Sequence, residues 1–200
     1  MILTERFEEA LAFAARLHKL QLRKGTAIPY VSHLLAVASI ALEHGADEDE
    51  AIAALLHDAV EDQGGDSTRR EIRRRFGVRV ADIVDGCTDA ETTPKPPWRE
   101  RKERYVAHVA EAPPSVRLVS AADKLHNARA ILADLRASGD AVWSRFRGGK
   151  EGTLWYYRSL VEAFRARGAT PLVEELARTV AEIERLAADG KAPAPSSQRD

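Results

Sequence analysis

From Phe7 onward, apolar residues return every three or four positions, at Phe7, Ala10, Leu11, Ala14 and Leu17. This is the period of a helix with one face against a core, and it predicts a first helix over residues 4–19. The next ten residues, QLRKGTAIPY, contain Gly25 and Pro29 and read as a loop that carries the adjacent bases Arg23 and Lys24. A second helix is predicted from about Val31 to His44, with Gly45 suited to its C-terminal cap. The acids of the DEDE run suit a helix N-terminus, and AIAALLHDAVED then forms a third helix that ends at Gly64-Gly65. Ser67 or Thr68 can cap a short helix reaching Gly77, and another follows over 78–88. TDAETTPKPPW, with its three prolines, reads as a loop. Helices resume over Trp98–Val109, Ser115–Leu135, Thr153–Arg167 and Pro171–Ala188, with Pro171 suited to a first helical turn. No stretch alternates long enough to predict a strand. The expected fold class is therefore all-α, a helical bundle or orthogonal array. Residues 1–189 are expected to form one domain, and 190–200, rich in Pro, Ser and charge, a disordered tail.

Composition narrows the choice of partners. Thirty Lys and Arg against 31 Asp and Glu give a formal net charge of −1, so no global field draws the molecule to nucleic acid or an anionic membrane. The basic runs RREIRRRFGVR and WRERKER then read as solvated helix faces. The single cysteine, Cys87, excludes an internal disulfide and any multi-cysteine metal site, and reads as a small buried hydrophobe. The N-terminus is broken by Glu and Arg every few residues and lacks a signal-peptide core. No segment approaches the roughly 20 apolar residues of a membrane span. A cytoplasmic protein is expected, with its oligomeric state left open.

Candidate chemistry gathers on three helices. Wound at roughly 100° per residue, the third helix puts Ile52, Leu55, Leu56, Ala59 and Val60 on a core face. His57, Asp58 and Glu61 fall opposite, with Asp62 at the edge. His33 shares a stripe with Ala36, Val37 and Ile40, and taken alone reads sooner as a core histidine than as a ligand. Asp123 lies one turn after Val119 and two after Val116, on a stripe running to Ala130. A carboxylate there costs several kcal/mol unless a cation meets it, and a metal ion is one such cation. Two imidazoles and two carboxylates suit Mn²⁺, Fe²⁺, Co²⁺ or Zn²⁺. An ion so held can polarise a phosphoryl oxygen and ionise water near neutral pH, with Glu61 and Asp62 one turn away to move protons.

His33, the pair His57-Asp58 and the late Asp123 resemble the H…HD…D pattern of the HD phosphohydrolase superfamily. More narrowly, RKGTAIPYVSHLLAVA, AALLHDAVED and AADKLHNAR are similar to the hydrolase domain of the Rel/SpoT alarmone enzymes and their stand-alone small relatives, over roughly residues 5–165. The resemblance implies an HD-domain helical bundle that binds Mn²⁺ and removes pyrophosphate from the 3′ position of guanosine 3′,5′-bis(diphosphate). It implies His33, His57, Asp58 and Asp123 as metal ligands, Glu61 and Asp62 as the catalytic acidic pair, and Arg23, Lys24 and Asn127 as contacts to a small-molecule nucleotide. An Arg can stack on a purine while Lys offers phosphate a mobile charge.

One departure concerns substrate. The family usually follows its acidic pair with Thr, whereas this chain has Gln63 before the two glycines. The metal site is untouched by this, and nucleotide preference is the property it bears on. WSRFRGGKEGTLWYY reads either as a mobile loop that brings Arg147 or Lys150 to a 5′ diphosphate, or as a solvated hinge. The cluster Trp155, Tyr156 and Tyr157 reads sooner as core than as site. Two other functions stay open: hydrolysis of a different nucleotide phosphate, since a fold does not choose its ester, and a non-catalytic nucleotide-binding module, against which the pair Glu61-Asp62 argues.

Overall fold

The structure is a computed structural model and describes residues 2–88 and 96–189. Its helices are α1 (Glu5–Leu17), α2 (Val31–Glu43), α3 (Glu48–Leu56), α4 (Ala59–Asp62), α5 (Asp66–Phe76) and α6 (Val78–Cys87). After these come α7 (Trp98–Glu111), α8 (Pro114–Ser138), a 3-10 segment (Gly139–Arg145), α9 (Gly149–Arg165) and α10 (Pro171–Asp189). The all-α expectation holds, and among the described residues the only β feature is one isolated bridge, Leu22 to Pro29. The expected tail at 190–200 and most of the proline loop lie outside the described residues. No described helix is long and apolar enough to cross a membrane.

Helix α3 is the hub. Asp47 caps it by accepting from the Glu50 amide at 3.0 Å, and Glu50 answers on the Asp47 amide at 2.8 Å, a reciprocal box that satisfies two otherwise orphaned donors. From outside, Arg6 pairs with Glu48 and Asp49, and Arg79 pairs with Asp47 and Asp49. The helix that follows does not have the single core face the periodicity predicted. Ala51 to Leu56 are all fully buried, because α1, α2, α6 and α8 enclose α3 from every side, the setting of a helix that is apolar all round.

The third predicted helix is also broken. Regular α-helix stops at Leu56, and α4 restarts at Ala59. At the break the His57 ring takes up the Ala54 carbonyl through Nδ1 at 2.8 Å, and Asp58 adopts φ −97°, ψ −2°. The His-Asp pair thus sits at an interruption.

Helix α8 is longer than its periodicity suggested and runs beneath α2, α3 and α6. Its approach to α6 depends on Gly86, where a Cβ would stand 2.5 Å from Val116 Cγ2. Thr68 is no cap. It lies within α5, and its hydroxyl donates to the Gln63 carbonyl, closing the α4–α5 turn. Helix α9 begins at Gly149, four residues before its predicted start, which shortens the expected mobile loop.

Candidate active site

The site is built where the α3–α4 break meets the start of α2 and the middle of α8. His33 lies on the buried face of α2, and His57 and Asp123 are buried as well, with 1%, 2% and 6% of their surfaces exposed. His33 Nε2 is 3.2 Å from Asp123 Oδ1 and 3.6 Å from Asp58 Oδ2. His57 Nε2 is 3.0 Å from Asp58 Oδ2 and 3.7 Å from Asp123 Oδ1. Ligand atoms bound at about 2.1 Å to a common centre stand roughly 3–4 Å apart, and these four imidazole–carboxylate distances fall in that range. His33, His57 and Asp58 each offer an atom within 4.8 Å of the others.

The hydrogen bonds aim the donors inward. His57 Nδ1 is occupied by Ala54 O, and its buried Nε2 has no hydrogen-bond partner despite the carboxylate 3.0 Å away. In the neutral ring this nitrogen carries the lone pair, and it faces carboxylate oxygens, an arrangement that calls for a cation there, a proton or a metal ion. His33 Nδ1 meets His126 Nδ1 at 2.7 Å, leaving Nε2 turned to the same centre; such outer partners fix the tautomer of a metal-binding imidazole. Tyr30 donates to Asp58 Oδ2 at 2.5 Å. Lys124 donates to Asp123 Oδ2 at 2.6 Å, and Asn127 donates to Asp123 Oδ1 at 2.5 Å.

Electrostatics point the same way. Burial alone would raise Asp58 and Asp123, yet His57 beside the first and Lys124 beside the second hold both well below the usual carboxylate range. Burial alone would lower His57, and Asp58 and Asp123 instead drive it well above 6.5. Without metal, the cluster thus draws a proton onto His57 to balance its carboxylates. A divalent cation satisfies the same demand, so the donor set fits one.

The other sequence-predicted residues surround this centre. Arg23 donates to Asn127 Oδ1 at 2.8 Å and lies 5.9 Å from the Tyr30 ring. Both ends of the Asn127 amide are therefore engaged, by Arg23 and Asp123. Lys24 and Arg147 are exposed and Glu61 is partly buried. Asp62, at the end of α4, accepts from Gln21 Nε2 at 2.8 Å. Desolvation raises its carboxyl above the usual range, the Gln21 bond opposes that, and Asp58 and Glu61 add to it. Gln63 turns its amide to Gln21 Oε1 at 2.6 Å. Lys150 is taken by Asp140 at 3.0 Å and the Ala187 carbonyl at 2.7 Å. Arg145 lies across Gly25, with its Cδ 3.2 Å from where a Cβ would be, and binds Asp134 at 2.6 Å. It thereby straps the Arg23-Lys24 loop to α8.

Sequence reasoning missed Tyr30, His126, Lys124 and the His18-Gln21 pair. Their signals were spacing alone: Tyr30 stands one turn before His33, and His126 one turn after Asp123. Cys87, expected to be buried, is only partly so and packs against the core, with its thiol pushed up to about 11 by desolvation.

A fold of packed helices with two imidazoles and two carboxylates at one interior point defines a class, and comparison assigns it. The HD domain family model matches residues 10–154, and the chain belongs to that family. Among curated relatives, the guanosine-3′,5′-bis(diphosphate) 3′-pyrophosphohydrolase MESH1 of Xenopus tropicalis is 42% identical over 142 residues, 70% of this chain and 74% of that protein. Its Homo sapiens counterpart is 40% identical over 144 residues, with the same shares. A solved structure described as a metazoan ortholog of SpoT that hydrolyzes ppGpp superposes with a TM-score of 0.73 at 27% identity, covering 92% of this chain and 97% of that one. The lmo0812 structure from Listeria monocytogenes gives 0.68 at 32% identity, covering 76% and 99%.

Proposed function

We propose that this protein is a metal-dependent phosphohydrolase that cleaves guanosine 3′,5′-bis(diphosphate) to GDP and pyrophosphate. The carrying observation is the convergence of His33, His57, Asp58 and Asp123 on one centre, in a chain about 40% identical to proteins named for that activity. These four residues hold the ion, and a nitrogen-oxygen set without thiolate suits Mn²⁺. When bound, the ion supplies Lewis-acid polarisation of the phosphoryl group and water ionised near neutral pH.

The remaining steps belong to side chains. Glu61 and Asp62 orient the attacking water and take up its proton, and a proton returns to the ribose 3′ oxygen as its bond to phosphorus breaks. Asp62 suits this exchange because desolvation raises its carboxyl above the usual carboxylate range. Arg23, anchored by Asn127, presents a guanidinium plane beside the Tyr30 ring for the base. Lys24 offers its ammonium to the 3′ group, and Arg147 faces the 5′ diphosphate.

The test is direct. Purified protein with Mn²⁺ is given the alarmone and a panel of other nucleotides, and products are separated by ion exchange. GDP and pyrophosphate in equal amounts are expected. Brisk hydrolysis of another nucleotide with none of the alarmone would reject the substrate, and binding without any product would reject the enzyme.

A further inference from the structure

We propose that Gln21, locked by Gln63 and His18, is a positioning residue that fixes the direction of the Asp62 carboxylate. The inference rests on the role given to Asp62 above, but its geometry stands alone.

Gln21 Nε2 donates to Asp62 Oδ2 at 2.8 Å. Its Oε1 meets Gln63 Nε2 at 2.6 Å and His18 Nδ1 at 2.7 Å. A carboxylate only accepts, so the Gln21 end facing it must be the NH₂ group. The opposite end is then an oxygen, which accepts from Gln63 and from His18 Nδ1–H. Rotating the Gln21 amide by 180° would put an oxygen against the Asp62 carboxylate and an NH₂ group against two donors. All three contacts would become repulsive together, so the amide has one orientation.

The frame around Gln21 is rigid. Its amide donates to the His18 carbonyl at 3.0 Å, and its carbonyl accepts from the Tyr30 amide at 2.8 Å. His18 is 2% exposed and stacks on the Tyr30 ring, with centroids 5.2 Å apart at 17°. Burial keeps His18 neutral, and its Nε2 has no partner, so the single ring proton sits on Nδ1 facing Gln21. Tyr30 in turn holds Asp58. One stack therefore supports Asp58 through Tyr30 and Asp62 through Gln21, setting the spacing between the ion-binding carboxylate and the proton-moving one. Gln63, directly after Asp62, reaches back across the turn to brace it.

The groups acting on Asp62 are Asp58 and Glu61 on its own segment, which disfavour its ionisation, and His18 from the end of α1. On the packed helix α5 the first acid, Asp66, is taken by Arg69.

The experiment uses the full chain as Gln21→Leu, Gln63→Leu, the double variant and the milder Gln63→Asn. Two readouts are taken: the Asp62 carboxyl titration by carbon-13 NMR without metal, and kcat and KM with Mn²⁺ and the alarmone. Losing a hydrogen bond to a carboxylate should move the Asp62 midpoint up by about one pH unit in Gln21→Leu, and lower kcat about tenfold with KM within about twofold. Gln63→Leu and Gln63→Asn should move both readouts the same way by less. The double variant should match Gln21→Leu, because Gln63 acts only through Gln21. An unmoved Asp62 titration in Gln21→Leu, or a full extra Gln63→Leu effect in the double variant, overturns the proposal. If the wild type releases no pyrophosphate, the proposed activity fails and the carboxyl titration still decides the positioning.

Discussion

Asp123 does two jobs that substitution can separate. Its Oδ1 faces both imidazoles, and its Oδ2 holds Lys124 at 2.6 Å. The two side chains are only 9% and 14% exposed, so this is a nearly buried ion pair. Removing one partner of such a pair costs about 3–5 kcal/mol, because the other charge is stranded. For a chain of this size that is a fall in Tm of roughly 6–20 °C. Asp123→Asn should therefore destabilise the metal-free protein by this amount and also lose metal. Replacing both partners by apolar or neutral groups is often close to neutral, so Asp123→Asn with Lys124→Met should recover most of the stability and none of the metal. The assays are urea denaturation in chelator and elemental analysis after dialysis against Mn²⁺. Additive destabilisation in the double variant would refute the buried pair, and full metal occupancy in Asp123→Asn would remove Asp123 from the ligand set.

Three further outcomes are expected. His126→Phe removes the acceptor for His33 Nδ1–H and should weaken Mn²⁺ binding by about 10–100-fold, whereas His126→Gln, which keeps an acceptor, should lose less; calorimetric titration distinguishes them, and equal losses would make the contact one of packing. His57 is raised well above 6.5 in the metal-free protein, so its contribution to stability is complete below pH about 6.5 and fades as pH rises through its folded value. Asp58 and Asp123 are depressed, so theirs is present above pH about 4 and lost on acidification. Mn²⁺ must displace the His57 proton, so affinity should tighten with rising pH and binding should release protons; calorimetry in buffers of different ionisation heat reads that release, and none would contradict the charged His57. Glu61→Gln and Asp62→Asn should retain the ion and lower kcat by on the order of 10²-fold, and near wild-type turnover in both at saturating Mn²⁺ would leave the metal alone responsible.

Periodicity alone determined that this chain is helical, and it located most helices to within a few residues, because each amphipathic face records one neighbour. It located α3 but gave it a single core face, whereas its apolar residues surround the axis, and a helix enclosed on all sides carries no stripe to orient it. The break at His57-Asp58 was equally hidden: the hydrophobic rhythm continues through it, and it is marked by a side chain taking up a carbonyl. Asp123 was legible as a charge in an apolar stripe, a local contradiction that demands a partner from elsewhere. Which partner was a matter for tertiary structure, because His33, His57 and Asp123 stand 24 to 90 positions apart along the chain and only the packing of α2, the α3–α4 break and α8 brings them and Asp58 together. The Arg23-Lys24 pair could be read as basic, but its anchoring by Asn127 and Arg145 could not. Gln63 shows the difference most clearly: in the sequence it is a departure beside the acidic pair that bears on nucleotide preference. In the fold it braces Gln21, because hydrogen-bond direction exists only between groups whose positions the rest of the chain has fixed.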